Sequence, residues 1–244
     1  VSGFALNYTT PCGLMGGEPY RIMELKPYTG VSKATSSVIL YVMMHIFSHF
    51  WFWFLSIFLF IAFNPVGLSM GILLAVIGGF CLLGIYFFSR GYKTGMAQKG
   101  IHLLTHIPFV KGWAKRFAES KKDTLEQIDS QIALLHQQHK RTFYSSLLFE
   151  LSARVLQSFE IYLILKAFNA EVGIIDSILI LAFSSLFSNL IFFTPMQLGS
   201  REGGLALAVD GLHLTGALGV YTGLITRLRE LVWIAIGIML IKIG

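Results

Sequence analysis

The chain has 244 residues, of which 55% are hydrophobic and only 13% are charged, and its mean hydropathy is +0.67. A soluble domain carries about twice that share of charge, so the composition excludes an ordinary soluble domain and indicates an integral membrane protein. The net charge of +6 comes entirely from residues 90–141, which hold ten Lys and Arg against four Asp and Glu. Basic loops of this kind lie in the cytoplasm, so we expect no nucleic-acid partner.

The first element is a broken segment, residues 10–18, which reads Thr-Pro-Cys-Gly-Leu-Met-Gly-Gly-Glu. Pro11 ends a helix because it removes a backbone donor, and the glycines allow a tight turn. Glu18 closes the segment and Arg21 follows it. The chain opens almost on this motif, so we expect further N-terminal helices to precede Val1 in the full protein.

Two apolar runs follow, residues 36–63 and 66–89, and each exceeds the roughly 20 residues that cross a bilayer. With residues 90–141 inside the cell, the first run leads outward, the second returns, and Asn64-Pro65 forms an external turn. Within 90–141, helical spacing predicts a helix over 124–141, and residues 101–117 are expected to lie along the membrane surface.

Further spans are predicted over residues 142–168, 174–193 and 224–243, whereas the glycine-rich run 203–222 is either a span or part of a re-entrant element. Glu150 and Arg154 lie four residues apart on one helix face, which suits an ion pair or the lining of a cavity. We therefore expect one transmembrane domain over 1–244, whose first half is 1–89, whose basic loop is 90–141 and whose second half is 142–244.

A second broken segment, residues 194–202, reads Thr-Pro-Met-Gln-Leu-Gly-Ser-Arg-Glu and repeats the Thr-Pro-x6-Glu spacing of the first. One copy alone would suggest a capped helix end with a solvated Glu. Two copies in the two halves of a membrane chain point to a transporter's binding site, where helix N-termini suit a phosphate or carboxylate. Arg201 and Glu202 end this copy. Beyond it, we expect one of Arg227, Arg229 and Glu230 to face the second motif and the others to reach the interface.

The residues at both motifs resemble the membrane domain of lysylphosphatidylglycerol synthases and their stand-alone, flippase-like relatives. The resemblance covers essentially the whole chain and rests on Asn7, Pro11, Gly17, Glu18 and Arg21 for the first signature, on Pro195, Gly199, Arg201, Glu202 and Gly203 for the second, and on Arg227 in the last helix. Met196-Gln197 replaces the usual glycine pair, so we expect a less permissive turn there. No part of the chain corresponds to the cytosolic aminoacyl-transfer domain, and we do not expect that activity.

The sequence thus predicts an all-α, polytopic transmembrane bundle with two re-entrant, broken helices in an inverted repeat. The resemblance implies a translocase that moves a phospholipid or another polar-headed lipid between leaflets of the bacterial inner membrane. Its partners would be membrane lipids, with proton coupling and a homo-oligomer left open, and no cofactor, metal or catalytic residue is expected. The predicted substrate-binding residues are Asn7, Pro11, Gly17, Glu18, Arg21, Glu150, Arg154, Pro195, Gln197, Gly199, Arg201, Glu202, Gly203 and Arg227.

Two other classes stay open: a secondary transporter of a small solute or ion, and a membrane-embedded lipid-modifying enzyme. For the enzyme, Ser69 lies in a G-x-S-x-G pattern with His45 and His49 in the preceding helix, but no strand-to-helix turn is visible. The pairs His45/His49 and His102/His106 lack the carboxylate that usually accompanies such metal ligands. The aromatic run 50–54 is expected to face lipid or to lie at the membrane interface.

Overall fold

The computed structural model describes residues 1–9, 16–94, 140–191, 197–212 and 214–243, together with four residues between 94 and 140. In these residues the chain forms eight α-helices and no strand, which confirms the all-α class. The helices are α1 Ser2–Thr9, α2 Gly17–Thr29, α3 Val31–Phe63, α4 Leu68–Thr94, α5 Lys140–Ala167, α6 Ile174–Leu190, α7 Ser200–Asp210 and α8 Gly216–Ile243.

Two of the described helices are long and apolar enough to cross a membrane: α3 over its whole length, and α4 over Leu68–Tyr92. Helix α3 contains the predicted span 36–63, and α4 contains all of the predicted span 66–89 except its first two residues. With 1.5 Å per residue, α3 is about 50 Å long, more than the roughly 30 Å of a bilayer's hydrocarbon core. A helix of this length that crosses a bilayer extends beyond the hydrocarbon at one end or tilts.

The later predicted spans form helices α5, α6 and α8, but each is either shorter or more charged than a typical transmembrane helix. Helix α6 has only 17 residues, while α5 and α8 carry several charged side chains along their length. The run 203–222 is not one span: α7 ends at Asp210, and α8 begins at Gly216. The single-span alternative for that run is therefore wrong, because residues 211 and 212 form a turn directly after α7.

The chain divides into two compact units, which we describe separately. The first unit comprises Val1–Tyr20, Trp51–Gly79 and Leu151–Gly244. Its apolar core joins α5, α6 and α7, through side chains that are almost fully buried: Ile161, Leu165, Ile180, Leu205 and Val209. This core fixes α7, and hence the second motif, against the two helices that precede it.

The second unit comprises Arg21–Phe50 and Phe80–Glu150. Its described core is aromatic: the ring of Phe47 lies 5.6 Å from that of Tyr92 and 6.5 Å from that of Phe143, while Tyr92 and Phe143 are 4.6 Å apart. These centroid distances are typical of aromatic packing, and the two pairs that include Tyr92 are edge-to-face. The rings join α3, α4 and α5 within this unit.

The aromatic run 50–54 does not face lipid as a whole, so that prediction is wrong for two of its residues. Phe52 and Trp53 are only 4% and 7% exposed, and the Trp53 indole donates a hydrogen bond to Ser185 Oγ at 2.9 Å. Successive residues of a helix point about 100° apart, so five consecutive aromatic residues cannot share one face.

Most of the basic loop lies outside the described residues, including the predicted surface segment 101–117. Within the predicted helix 124–141, the described residues Glu126, Asp129, Ser130 and Ala133 are helical, as is the start of α5. The cytoplasmic placement of the loop, the inverted repeat and the re-entrant course of the broken segments stay predictions.

Candidate functional site

Hydrogen bonds from Asn7 of α1 fix the first motif to the start of α2. Asn7 accepts a hydrogen bond from the backbone N–H of Gly17 at 2.6 Å and donates one to Glu18 Oε1 at 3.2 Å. A Cβ on Gly17 would collide with the carbonyl oxygen of Gly3, so the close approach of the two helices requires glycine there. The structure therefore brings Asn7, Gly17 and Glu18 together, while Pro11 lies outside the described residues.

The second motif places its carboxylate in the same way, in the first turn of the helix that follows. Glu202 Oε2 accepts a hydrogen bond at 2.9 Å from the backbone N–H of Gly199, the residue before α7. Gly199 has φ +81°, a left-handed conformation that glycine adopts at little cost. Pro195 lies outside the described residues, so the structure describes the helix start but not the break.

Gln197 also adopts a left-handed conformation, with φ +53°. This residue stands where a glycine was expected from the resemblance, and a side chain makes that conformation costly by roughly 1–2 kcal/mol. The backbone here has two side-chain partners, since Gln197 O accepts hydrogen bonds from Ser200 Oγ at 3.1 Å and from Arg227 Nη2 at 3.2 Å. The expected turn therefore persists without the glycine.

Arg227 of α8 connects the last helix to the second motif. Its Nε donates to Glu202 Oε1, and each of the two side chains is 15% exposed. Helix α8 can approach this closely because Gly223, one turn earlier, has no side chain: a Cβ there would lie 3.0 Å from Glu202 Cγ. Arg227 thus contacts Glu202, and Glu230 contacts Arg201 of the same motif. Two of the three charged residues in this turn of α8 therefore face the second motif, so the expectation that Glu230 reaches the interface is wrong.

Glu230 of α8 connects the helices of both motifs. Its carboxylate accepts a hydrogen bond from Arg201 Nη1 of α7 and one from the Tyr8 hydroxyl of α1 at 3.4 Å, and the residue is only 5% exposed. Tyr8 comes three residues before Pro11, and Arg201 precedes Glu202. The helix before the first motif and the helix after the second therefore meet at one carboxylate.

Arg229 extends the network to α5, because its Nη1 donates to Glu160 Oε2 while its Nη2 lies 3.9 Å from Glu230 Oε1. We call the six residues Glu160, Arg201, Glu202, Arg227, Arg229 and Glu230 the α8 charge cluster. Three carboxylates face three guanidinium groups, so the cluster is formally neutral but contains strong donors and acceptors.

Sequence reasoning missed Glu160, Arg229, Glu230 and Tyr8 as site residues. The available signal was the crowding of Arg227, Arg229 and Glu230 into one turn of an otherwise apolar helix, where a charge needs a partner. Tyr8 carried no signal, because a tyrosine near a helix end is common and its partner lies 222 positions away.

The remaining predicted site residues have contacts of their own. In the second unit the Arg21 guanidinium lies 4.7 Å from the ring centre of Tyr41, and Glu150 Oε2 lies 3.2 Å from His45 Nδ1. Arg154 is buried in the first unit, and Gly203 of α7 faces the Phe187 ring. The pairing of Glu150 with Arg154 stays a prediction.

The structure does not support the sequence patterns that suggested a serine hydrolase or a metal site. Ser69 lies in the first turn of α4, which residues 64–67 connect to helix α3, so the strand-to-helix turn of a nucleophile elbow is missing. Among the described residues, no group of three or more His, Cys, Asp or Glu side chains could hold a metal ion. His102 and His106 lie outside the described residues.

One family model, described as the lysylphosphatidylglycerol synthase TM region, matches residues 1–237. The match includes both motifs and the whole α8 charge cluster. No curated protein and no solved structure is significantly similar to the chain.

Proposed function

The chain belongs to the family of lysylphosphatidylglycerol synthase transmembrane regions, and we propose that it is a translocase that moves a phospholipid, or another polar-headed lipid, between the two leaflets. The family and the apolar helices α3 and α4 establish a membrane location, so membrane lipids are its surroundings. The proposed role is transport without chemical change to the lipid.

One observation supports this proposal above the others: Glu230 accepts hydrogen bonds from both Tyr8 and Arg201. These two residues belong to helices that flank the first and second motifs respectively. In transporters built from repeats, substrate sites form where the broken elements of the two halves meet. The convergence on α8 supports a shared polar site of that kind.

The chemistry of the α8 charge cluster suits a lipid headgroup. Charges at membrane depth are expensive and are kept where they serve a pathway or a ligand. Arg201 and Arg227 are each already paired with a carboxylate, and a phosphodiester can replace a carboxylate on a guanidinium with similar two-pronged geometry. The displaced Glu202 or Glu230 is then available to an amine of the same headgroup.

This exchange explains why a neutral cluster can transport a charged head. At each stage a guanidinium keeps an anionic partner and a carboxylate keeps a cationic one, so no uncompensated charge is left buried. The two broken segments, which contain Pro11 and Pro195 near their starts, would form the re-entrant walls of the pathway.

The proposal is tested with the purified protein in vesicles that contain a fluorescent phospholipid, by adding a membrane-impermeant quencher. Wild-type protein is expected to expose inner-leaflet lipid to the quencher, and Glu202→Gln to slow this exposure by about tenfold, equivalent to about 1.4 kcal/mol of lost stabilisation. The matched control is Lys166→Gln, which changes an exposed charge on α5 outside the α8 charge cluster.

Wild-type vesicles that expose lipid no faster than protein-free vesicles would overturn the proposal. If the same vesicles instead passed a small ion or solute, the protein would be a secondary transporter of that species. A change in the mass of the added lipid would mark a lipid-modifying enzyme.

A further inference from the structure

A cavity of about 180 Å³ lies within the first unit, between the end of α3, the start of α4, and helices α6 and α7. Its wall includes Trp53, Leu74, Leu186 and Ala208, one from each of these helices. An engineered cavity of about 150 Å³ admits benzene, so this one has room for roughly six to eight carbon atoms of a chain.

The cavity is lined mainly by apolar side chains. Among the described residues that line it, only Trp53 and Ser56 carry a side-chain nitrogen or oxygen. The Trp53 indole N–H donates to Ser185 Oγ at 2.9 Å, and the Ser56 hydroxyl donates to the carbonyl of Phe52 at 2.8 Å. Since both groups are satisfied within the protein, the cavity is apolar and suits hydrocarbon.

The cavity is open to the surface of the unit on the side of membrane-spanning helix α4. Leu73 of α4 and Leu207 of α7 both line the cavity, and they are 48% and 53% exposed. The surface of a membrane-spanning helix meets the hydrocarbon chains of the bilayer. A lipid chain therefore reaches the opening without crossing water.

Helix α7 connects this cavity to the α8 charge cluster. Glu202 lies in the first turn of α7, and Ala208 lines the cavity six residues later, which is about 9 Å along the helix. The two ends of one short helix thus present a polar site and an apolar site, at a separation that fits the head and upper chain of a phospholipid.

We propose that this cavity holds one hydrocarbon chain of the phospholipid whose headgroup binds the α8 charge cluster. The inference rests on the proposed translocase function and identifies its substrate class as a lipid anchored by chain as well as by head. Chain binding beside α7 keeps the head within reach of Glu202 and Arg227 while the ion pairs exchange.

The test is photolabelling of the protein in vesicles of phosphatidylglycerol and phosphatidylethanolamine that contain a phospholipid with a diazirine on one chain. Mass spectrometry of peptides is expected to locate label on the lining residues of α4, α6 and α7, at least about fivefold above label at Val76, which is 65% exposed on α4 and outside the cavity. An excess of unlabelled free fatty acid should leave this pattern unchanged.

Two tryptophan variants on α4 distinguish the effect of filling the cavity from the effect of adding a large side chain to the helix. Leu74→Trp fills it and should reduce label on α6 and α7 by about fivefold, whereas Val76→Trp, the same kind of change on the outer face, should leave that label within about twofold. Ser56→Leu is a second filling variant, and it should give the same loss if Leu74→Trp unfolds.

Label spread evenly over exposed apolar side chains, or displaced by fatty acid alone, would overturn the inference. Because labelling is measured without transport, its failure is distinct from failure of the proposed function. Loss of cavity labelling with normal, Glu202-dependent transport refutes only the chain site, and cavity labelling without any transport refutes only the translocase.

Discussion

At the scale of single residues, the ion pair between Glu202 and Arg227 links the start of α7 to α8 with both side chains largely buried. Removal of one partner leaves the other charge buried without compensation, which typically costs about 3–5 kcal/mol. We expect Glu202→Gln and Arg227→Gln each to lower the free energy of unfolding by an amount of this order. The double variant should cost less than the sum of the two.

The measurement is unfolding of the detergent-solubilised protein for wild type, both single variants and the double variant. The expected interaction energy between the two sites is about 1–3 kcal/mol. Additive effects, with no interaction energy, would show that the pair does not act as a unit.

Gln197 gives a second prediction at this scale, because its left-handed backbone is strained by its own Cβ. Gln197→Gly removes that strain, worth about 1 kcal/mol, and should raise Tm by about 2–4 °C in a chain of this size. Gln197→Ala is the matched control: it removes the amide but keeps the Cβ, so Tm should not rise. An equal rise in Tm in both variants would show that the stabilisation comes from removal of the side-chain amide and not from relief of backbone strain.

Some residues of the candidate site could be predicted from the sequence, and others could not. The spacing of the two motifs identified Glu18 and Glu202, since each carboxylate lies in the first turn after a break. Glu230 and Tyr8 could not be identified as a pair, because sequence spacing reports neighbours along a helix and not contacts between helices that are distant in the chain.

At the scale of helices, α7 and α8 pack through glycine. A Cβ on Gly219 would lie 2.6 Å from Ala206 Cα, so the two backbones touch there, as is common between membrane helices. Gly219→Ala should therefore separate the helices and lower stability by about 1–3 kcal/mol. Thermal unfolding in detergent measures the change.

The control for that prediction is Gly79→Ala in α4, where an added Cβ meets no atom within 4 Å. Alanine favours helix over glycine by about 1 kcal/mol, so this variant should be neutral or stabilising. A Gly219→Ala protein as stable as Gly79→Ala would contradict the close packing of α7 on α8.

Helix positions were more predictable than helix ends. The apolar runs predicted α3 and α4, because length and hydrophobicity alone decide whether a segment can span a bilayer. The turn between α7 and α8 was not predicted, since the run 203–222 is rich in glycine throughout. What ends α7 there is local hydrogen bonding, in which the N–H groups of Leu212 and Leu214 both donate to the carbonyl of Val209.

At the scale of the whole molecule, the charge distribution predicts the orientation in the membrane. In a protein whose native cysteines, Cys12 and Cys81, are replaced by alanine, a cysteine at Ser120 should react only from the cytoplasmic side. A cysteine at Asn64, between α3 and α4, should react only from outside. Labelling of both positions from the same side of intact cells would contradict the predicted topology.

Helices α1 and α7, from opposite ends of the chain, meet at α8, where we propose one site for a lipid headgroup. The most direct test is a charge swap between Arg201 and Glu230, read as lipid translocation in reconstituted vesicles. Arg201→Glu and Glu230→Arg should each slow translocation by about tenfold or more, because like charges then face each other. The double swap should restore it to within about threefold of wild type. Single variants that transport as fast as wild type would show that the pair of Arg201 and Glu230 is not part of a headgroup site.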